Sequence, residues 1–187
     1  MMNKKTLRAH YKSLRAAIPP HHASLATSAI IPLVSTLIKP RAVVAAYYPH
    51  NHELNILPLL QVLQDKQCRL LLPRVTEEGT LDFLPWNGYK SALSVGKYGI
   101  LSPKDGMPVV PDVILVPLLA FTKEGGRLGS GKGYYDKTLA ALKAKGWQGK
   151  TIGVGYACQQ ADVLPLEEHD VLLDCIVTEE GTLSRLC

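Results

Sequence analysis

The sequence predicts an α/β fold, a three-layer α/β/α domain built on a mixed, mainly parallel sheet, and three features carry that reading. Short β-favouring runs alternate with segments of helical periodicity. Two such runs flank a glycine-containing hairpin turn. One strongly apolar run leads through a glycine-rich loop directly into a helix.

Leu7, Tyr11, Leu14 and Ile18 recur at intervals of three or four, which predicts a first helix over residues 4–17, stopped by Pro19-Pro20. Ser24 is placed to cap a second helix carrying Leu25, Ile30, Ile31, Val34, Leu37 and Ile38, in which Pro32 is tolerable near a turn or kink. Residues 42–48 form a β-favouring run, 54–64 a helical pattern and 69–72 a second apolar run, together a βαβ unit. Residues 71–75 and 81–86 flank Thr76-Glu77-Glu78-Gly79 as a hairpin, which makes the sheet mixed.

The Gly- and Pro-containing stretch 91–112 reads as a long surface connection. Val113 to Val116 then forms a buried strand ending at Pro117, and Tyr134 to Lys145 a helix with Tyr135, Leu139 and Leu142 on one face. Residues 151–156 and 175–178 supply two further strands. In an open α/β sheet the ligand is expected at the strand ends where loops gather.

A chain of 187 residues with 47% hydrophobic content supports one compact domain over residues 1–187. The net charge of +5 favours anionic partners, nucleotides and polyglutamylated small molecules included. Cations are scattered and only two Phe and two Trp are available for base stacking, so no nucleic-acid partner is expected. Cys68, Cys158, Cys175 and Cys187 form neither a zinc pattern nor a disulfide framework, and Cys158 and Cys175 read as core thiols. The polar, basic first residues do not resemble a secretory signal and the apolar stretches are too short to span a bilayer. A cytoplasmic, non-membrane monomer acting on a small molecule is the expectation.

The most informative segment is Gly125-Gly126-Arg127-Leu128-Gly129-Ser130-Gly131-Lys132-Gly133-Tyr134-Tyr135-Asp136, with five glycines within nine residues. Glycines let backbone amides approach a phosphate, the following helix presents free N–H groups, and Arg127 and Lys132 flank the turn. The bland reading is a mobile surface loop. Gly126-x-x-x-x-Gly131-Lys132 nearly spells a P-loop, but Gly133 stands where the magnesium-binding Ser or Thr belongs. The glycine spacing does not match the dinucleotide fingerprint either. Asp136 either supplies the missing metal oxygen or stabilises the helix N-terminus by its charge.

The block Val116-Pro117, Ala120-Phe121, Gly126-Arg127-Leu128-Gly129, Gly131, Gly133-Tyr134-Tyr135-Asp136 resembles the signature of 5-formyltetrahydrofolate cyclo-ligases, also called methenyltetrahydrofolate synthetases. Further matching segments follow in order: Lys4-x-x-Leu7-Arg8; Tyr48 with Glu53; Leu72-Pro73 with Phe83 and Trp86; and Gln159, Pro165, Glu167, His169-Asp170, Asp174 and Thr178-Glu179. The resemblance implies conversion of 5-formyltetrahydrofolate and MgATP to 5,10-methenyltetrahydrofolate, ADP and phosphate. The γ-phosphoryl group activates the formyl oxygen, folate nitrogen 10 attacks the formyl carbon, and phosphate leaves. Such chemistry demands positioning and charge neutralisation rather than a protein nucleophile.

The roles implied for this chain follow position by position. Lys4 and Arg8, one turn apart on a helix, reach the ATP phosphates, although a solvated basic face explains them as well. Arg127, Leu128, Gly129, Ser130, Gly131, Lys132, Gly133, Tyr134 and Tyr135 cradle the nucleotide, with Arg127, Lys132 and Tyr134 nearest the chemistry. Asp136, with Asp174 as second choice, holds Mg²⁺. Tyr48, Glu53, Trp86 and Tyr134 face the folate, Glu53 as acceptor for the pterin's donor edge. Tyr134 and Tyr135 read equally as packing residues. Ser130, Ser102 and Thr122 depart from the family pattern, which leaves open a relative that binds ATP or folate as a non-catalytic regulator.

Overall fold

The computed structural model describes residues 3–184, so Met1, Met2 and the C-terminal Cys187 lie outside it. Strand β1 (Val43–Ala45), helix α3 (Leu57–Asp65) and strand β2 (Arg69–Val75) form the βαβ unit, preceded by helices α1 (Lys4–Ala16) and α2 (Pro20–Leu37). Strand β3 (Leu81–Pro85) returns antiparallel to β2, and β4 (Leu93–Val95) pairs with β5 (Leu101–Pro103) as a separate hairpin. Then come β6 (Val113–Pro117), the short pair β7 (Ala120–Phe121) and β8 (Arg127–Leu128), helix α4 (Tyr134–Ala144), β9 (Lys150–Val154), β10 (Cys175–Thr178) and β11 (Gly181–Ser184).

The central sheet has seven strands in the order β11-β10-β9-β6-β1-β2-β3. The five inner strands are parallel, and β3 and β11 are antiparallel at the two edges. The expected mixed, mainly parallel sheet is therefore present. Side chains alternate between its faces with period two. Val44, Leu70, Leu72, Val113 and Leu115 pack with Ile30 and Val34 of α2 and Leu59, Leu60 and Leu63 of α3. Ala45, Leu71, Ile114 and Val116 pack on the other face with Leu139 of α4. Helix α1 joins neither layer. Its Leu7 and Tyr11 pack on Leu119, Ala120 and Leu128, residues beyond the ends of the strands.

The topology itself makes a crevice. After β1 the chain crosses over one face to β2, whereas after β6 it crosses over the opposite face to β9, and β1 and β6 are neighbours. Connections that part in this way leave an open cleft at the carboxyl ends of the two strands. The chain segments 46–56 and 118–133 border it.

Local differences from the sequence reading have local causes. Helix α2 begins at Pro20 rather than at Ser24, with Pro19 as the flanking residue, because proline is preorganised for a first helical turn. Ser24 lies within that helix, its carbonyl accepting from the Ser28 hydroxyl. Pro32 also lies inside the helix, which continues to Leu37. The stretch 91–112 is not a bare connection, since it contains the β4–β5 hairpin. Cys175 is buried as expected, but Cys158 is exposed in the turn after β9. No helix among the described residues is long and apolar enough to cross a membrane.

Asp174 requires a larger correction. Its carboxylate accepts from the Thr151 backbone N–H and hydroxyl, both at 2.8 Å, at the beginning of β9 and β10. That is the amino end of the parallel strands, opposite the glycine loop, so Asp174 fastens two strands and does not serve a metal beside Asp136. Asp174→Ala is expected to lower unfolding stability by about 1.5–3 kcal/mol, the usual cost of hydrogen bonds to a charged acceptor. Urea denaturation followed by circular dichroism measures it, and an unchanged midpoint contradicts the assignment.

Candidate functional site

The strand-end crevice opens into a cavity of about 1120 Å³. Single small-molecule sites occupy roughly 300–1,000 Å³, so the space suits more than one ligand. One wall is the glycine loop and the first turn of α4, another is the segment after β1 with Tyr47, Tyr48 and Glu53, and α1 contributes Lys4, Arg8, Lys12 and Arg15. The tip of the β4–β5 hairpin, Lys97 and Tyr98, and the segment with Glu167 and Asp170 complete the lining.

The β7–β8 pair sets Arg127. The Thr122 hydroxyl accepts from the Gly126 N–H at 3.2 Å and closes that turn, so this departure from the family pattern has a structural use. The Arg127 side chain is 4% exposed, donates to Asp136 Oδ1 at 2.7 Å and lies 5.6 Å from the centroid of the Tyr135 ring. Its Nε is buried with no partner among the described residues. Gly131 (φ 101°) and Gly133 (φ 68°, the residue before α4) occupy the left-handed region, which explains glycine at both. A Cβ at Gly131 would stand 3.1 Å from the Arg8 guanidinium, and the Arg8 Nε–H donates to the Gly129 carbonyl at 3.1 Å. Helix α1 and the glycine loop are thus interlocked.

The remaining expected residues divide. Lys4 lines the cavity but is engaged, 2.7 Å from Asp170 and 3.2 Å from Glu167. Lys132 sits over the Tyr98 ring at 4.6 Å, and the Tyr134 hydroxyl donates to that of Tyr98 at 3.0 Å. Leu128 and Ser130 line the cavity, Leu128 buried and Ser130 exposed. Tyr135 is held by packing, and burial raises its phenol well above the ordinary range. Tyr48 lines the cavity, but Trp86 does not. Its ring lies behind Tyr48, edge-on at 6.2 Å, and its indole N–H donates to the Tyr89 carbonyl. Trp86 is therefore support for Tyr48 and not a wall of the site.

Three lining residues escaped the sequence reading. Asp170 stands in the matching His169-Asp170 segment with no role assigned to it. It faces Lys4, and the N–H of its neighbour Val171 donates to Asp136 Oδ1 at 3.3 Å, so the Asp170 segment is fastened to Asp136. Hydrogen bonds from Lys4 and the Glu167 N–H hold its carboxyl below the usual range although burial opposes them. Tyr98 was hidden in a Gly-rich stretch, and Arg15 in the basic face of α1. Among the described residues no cluster of three or more His, Cys, Asp or Glu side chains is poised for a metal.

Glu53 is the unusual carboxyl of the cavity. Burial raises it from about 4.5 to about 7, partly opposed by the Arg15 charge and by the His50 N–H that it accepts at 3.1 Å. A carboxyl near neutrality in a cleft is a functional marker.

The chain is similar to known proteins in sequence and in fold. The profile of the 5-formyltetrahydrofolate cyclo-ligase family matches residues 1–179. The 5-formyltetrahydrofolate cyclo-ligase of Haemophilus influenzae is 30% identical over 187 residues, covering 93% of this chain and 97% of that protein. The Escherichia coli K12 protein of the same name is 39% identical over 145 residues, covering 72% and 76%. The solution structure of Aquifex aeolicus 5,10-methenyltetrahydrofolate synthetase superposes with a TM-score of 0.83 at 31% identity, covering all of this chain and 94% of that one.

The raised Glu53 carboxyl makes stability depend on pH with a definite sign. Its folded value lies above its unfolded one, so the folded state holds the proton more tightly. The contribution is complete below about pH 4.5 and is lost as pH rises to about 7. Wild-type protein is expected to lose up to about 3 kcal/mol across that interval relative to Glu53→Gln. Parallel pH-dependent denaturation profiles contradict the assignment.

Proposed function

The chain belongs to the 5-formyltetrahydrofolate cyclo-ligase family, and on that premise we propose that it catalyses the ATP-dependent cyclisation of 5-formyltetrahydrofolate to 5,10-methenyltetrahydrofolate, with release of ADP and phosphate. It is a ligase of one-carbon metabolism. The observation that carries the finer reading is the shared cavity, in which a glycine cradle with buried Arg127 faces the carboxyl of Glu53 across one space large enough for two substrates.

The residues fit a nucleotide on one side. Backbone amides of the glycine loop, the N-terminus of α4, Arg8 and Lys132 provide donors and positive charge for a triphosphate. Lys4 adds another cation from the same helix face. Asp136 and Asp170, fastened to one another through Val171, are the oxygens that would hold Mg²⁺, whose charge screens the phosphates when bound. Asp170 replaces Asp174 in this role.

The other side fits a reduced pterin. Tyr48 offers an aromatic wall and Glu53 an acceptor for ring N–H and amino donors. Pterin and triphosphate then converge where Arg127 and Tyr134 line the cavity. There, transfer of the γ-phosphoryl group to the formyl oxygen turns that oxygen into a leaving group. Attack by nitrogen 10 on the formyl carbon closes the ring, expels phosphate and frees the nitrogen-10 proton. The protein's part is to orient the reactants and to stabilise charge on the phosphoryl oxygens.

Purified protein with 5-formyltetrahydrofolate and MgATP is expected to show the absorbance of the methenyl product. Arg127→Ala and Asp136→Ala are each expected to lower kcat by about a hundredfold or more, the cost of losing one preorganised charge-stabilising group. Because the two residues form a buried ion pair, each variant should also lose stability, so kcat is compared at a temperature where circular dichroism shows it folded. No product at high wild-type concentration, with tight ligand binding retained, overturns the catalytic reading in favour of a binding protein.

A further inference from the structure

Arg15 is a buried cation in the cavity wall, 6% exposed, and its bonds span the crevice. One terminal nitrogen donates to the Asn51 carbonyl at 2.7 Å, in the segment after β1. The other donates to the Leu118 carbonyl at 3.3 Å, just after β6. The two carbonyls belong to the two connections whose parting creates the site.

The Asn51 end of that clamp holds unfavourable backbone. Asn51 (φ 48°) and His52 (φ 62°) are consecutive left-handed residues, neither of them glycine. Such conformations are disfavoured for residues other than glycine and persist where surroundings impose them. The next residue is Glu53, whose N–H donates to the His50 carbonyl and whose carboxylate accepts from the His50 N–H. The turn is therefore closed on itself, and Arg15 ties it to the rest of the protein.

We propose that Arg15 is a positioning residue for the folate half of the site: its forked guanidinium pins the strained turn 50–53 to the chain leaving β6, and so fixes the Glu53 carboxylate at the cavity wall with a counter-charge beside it. The folate side of this inference rests on the function proposed above. Arginine suits the task because its planar fork reaches two well-separated carbonyls from different nitrogens and keeps its charge when buried, whereas a lysine's donors all radiate from one nitrogen that loses its proton more readily on burial.

The charge relation supports the geometry. Burial is the largest influence on Glu53 and raises its carboxyl, and Arg15 acts against it. The groups around this carboxyl from the packed elements are Arg15 on α1, Tyr47 at the end of β1 and Tyr135 on α4. Both phenols are raised by burial and stay neutral. Arg15 is thus the permanent charge among them, and without it the carboxylate has less reason to ionise.

The test uses full-length protein, ¹³C-labelled at glutamate carboxyls, and steady-state kinetics. Arg15→Met is expected to move the Glu53 titration midpoint upward by about one unit or more. It should also raise KM for 5-formyltetrahydrofolate by about tenfold or more, leave KM for ATP within about threefold, and shift the acid limb of kcat/KM for the folate toward higher pH. Arg15→Lys keeps a charge without the fork, so it should hold the acid limb near its wild-type position while still raising the folate KM. If Arg15→Met does not fold, Arg15→Lys decides, and a wild-type folate KM in that variant overturns the proposal. An unmoved Glu53 midpoint in folded Arg15→Met overturns it as well. The carboxyl titration is read without substrate, so absence of turnover in the wild type sinks the proposed reaction alone.

Discussion

The parting of the chain at β1 and β6 is the constraint on which the site depends. Two adjacent parallel strands send their crossovers to opposite faces of the sheet, so no helix of either layer covers their carboxyl ends. The gap is bridged by α1, whose Leu7 and Tyr11 rest on Leu119, Ala120 and Leu128. Residues spaced along that one helix consequently reach different parts of the cavity. Lys4 meets Asp170, Arg8 lies under the glycine loop and Arg15 reaches the Glu53 turn. Displacing α1 would loosen all three contacts together, because the same apolar seat holds them.

Much of the scaffold was legible because its determinants are local. Leu70, Leu71 and Leu72 form a run buried on both faces, which is what an inner parallel strand demands, and Gly79 marks the hairpin turn. The missed strands β4, β5, β7, β8 and β11 are two to four residues long and too short to show a period. Proline was ambiguous for a physical reason. Pro20 both forbids continuation of one helix and favours the start of the next, so it was read as a stop where it is also a beginning.

The glycine loop could be read from sequence because its backbone tolerates little else. Gly131 must admit the Arg8 guanidinium, and Gly133 must take a left-handed turn into α4. The acidic residues were harder. Asp170 and Asp174 are four positions apart, and four extended residues span at most about 13–14 Å. That reach is enough to take the chain from the cavity wall to the amino end of β10, and no local pattern says where along the descent each residue falls. Trp86 and Tyr98 posed the same difficulty with aromatics. The family pattern marks Trp86 and nothing local marks Tyr98, and only the pairing of distant segments places Trp86 behind Tyr48 and Tyr98 beside Tyr134.

The cations of the cavity fall into two kinds, and the division bears on how a polyanion would be received. Arg127 and Arg15 are almost wholly buried and already bonded, to Asp136 in one case and to two carbonyls in the other. Such groups cannot travel toward a ligand, and they fix the shape and potential of the walls before it arrives. Lys132 is exposed, and Arg8 keeps two terminal nitrogens beyond the one bond its Nε makes to the glycine loop. An exposed ammonium such as that of Lys132 can meet an anion at little cost in desolvation, and the half-buried Arg8 offers its free terminal nitrogens from a fixed position. On the proposed reading, the buried arginines would set the walls before a polyanion arrives, and the more accessible Lys132 and Arg8 would meet it.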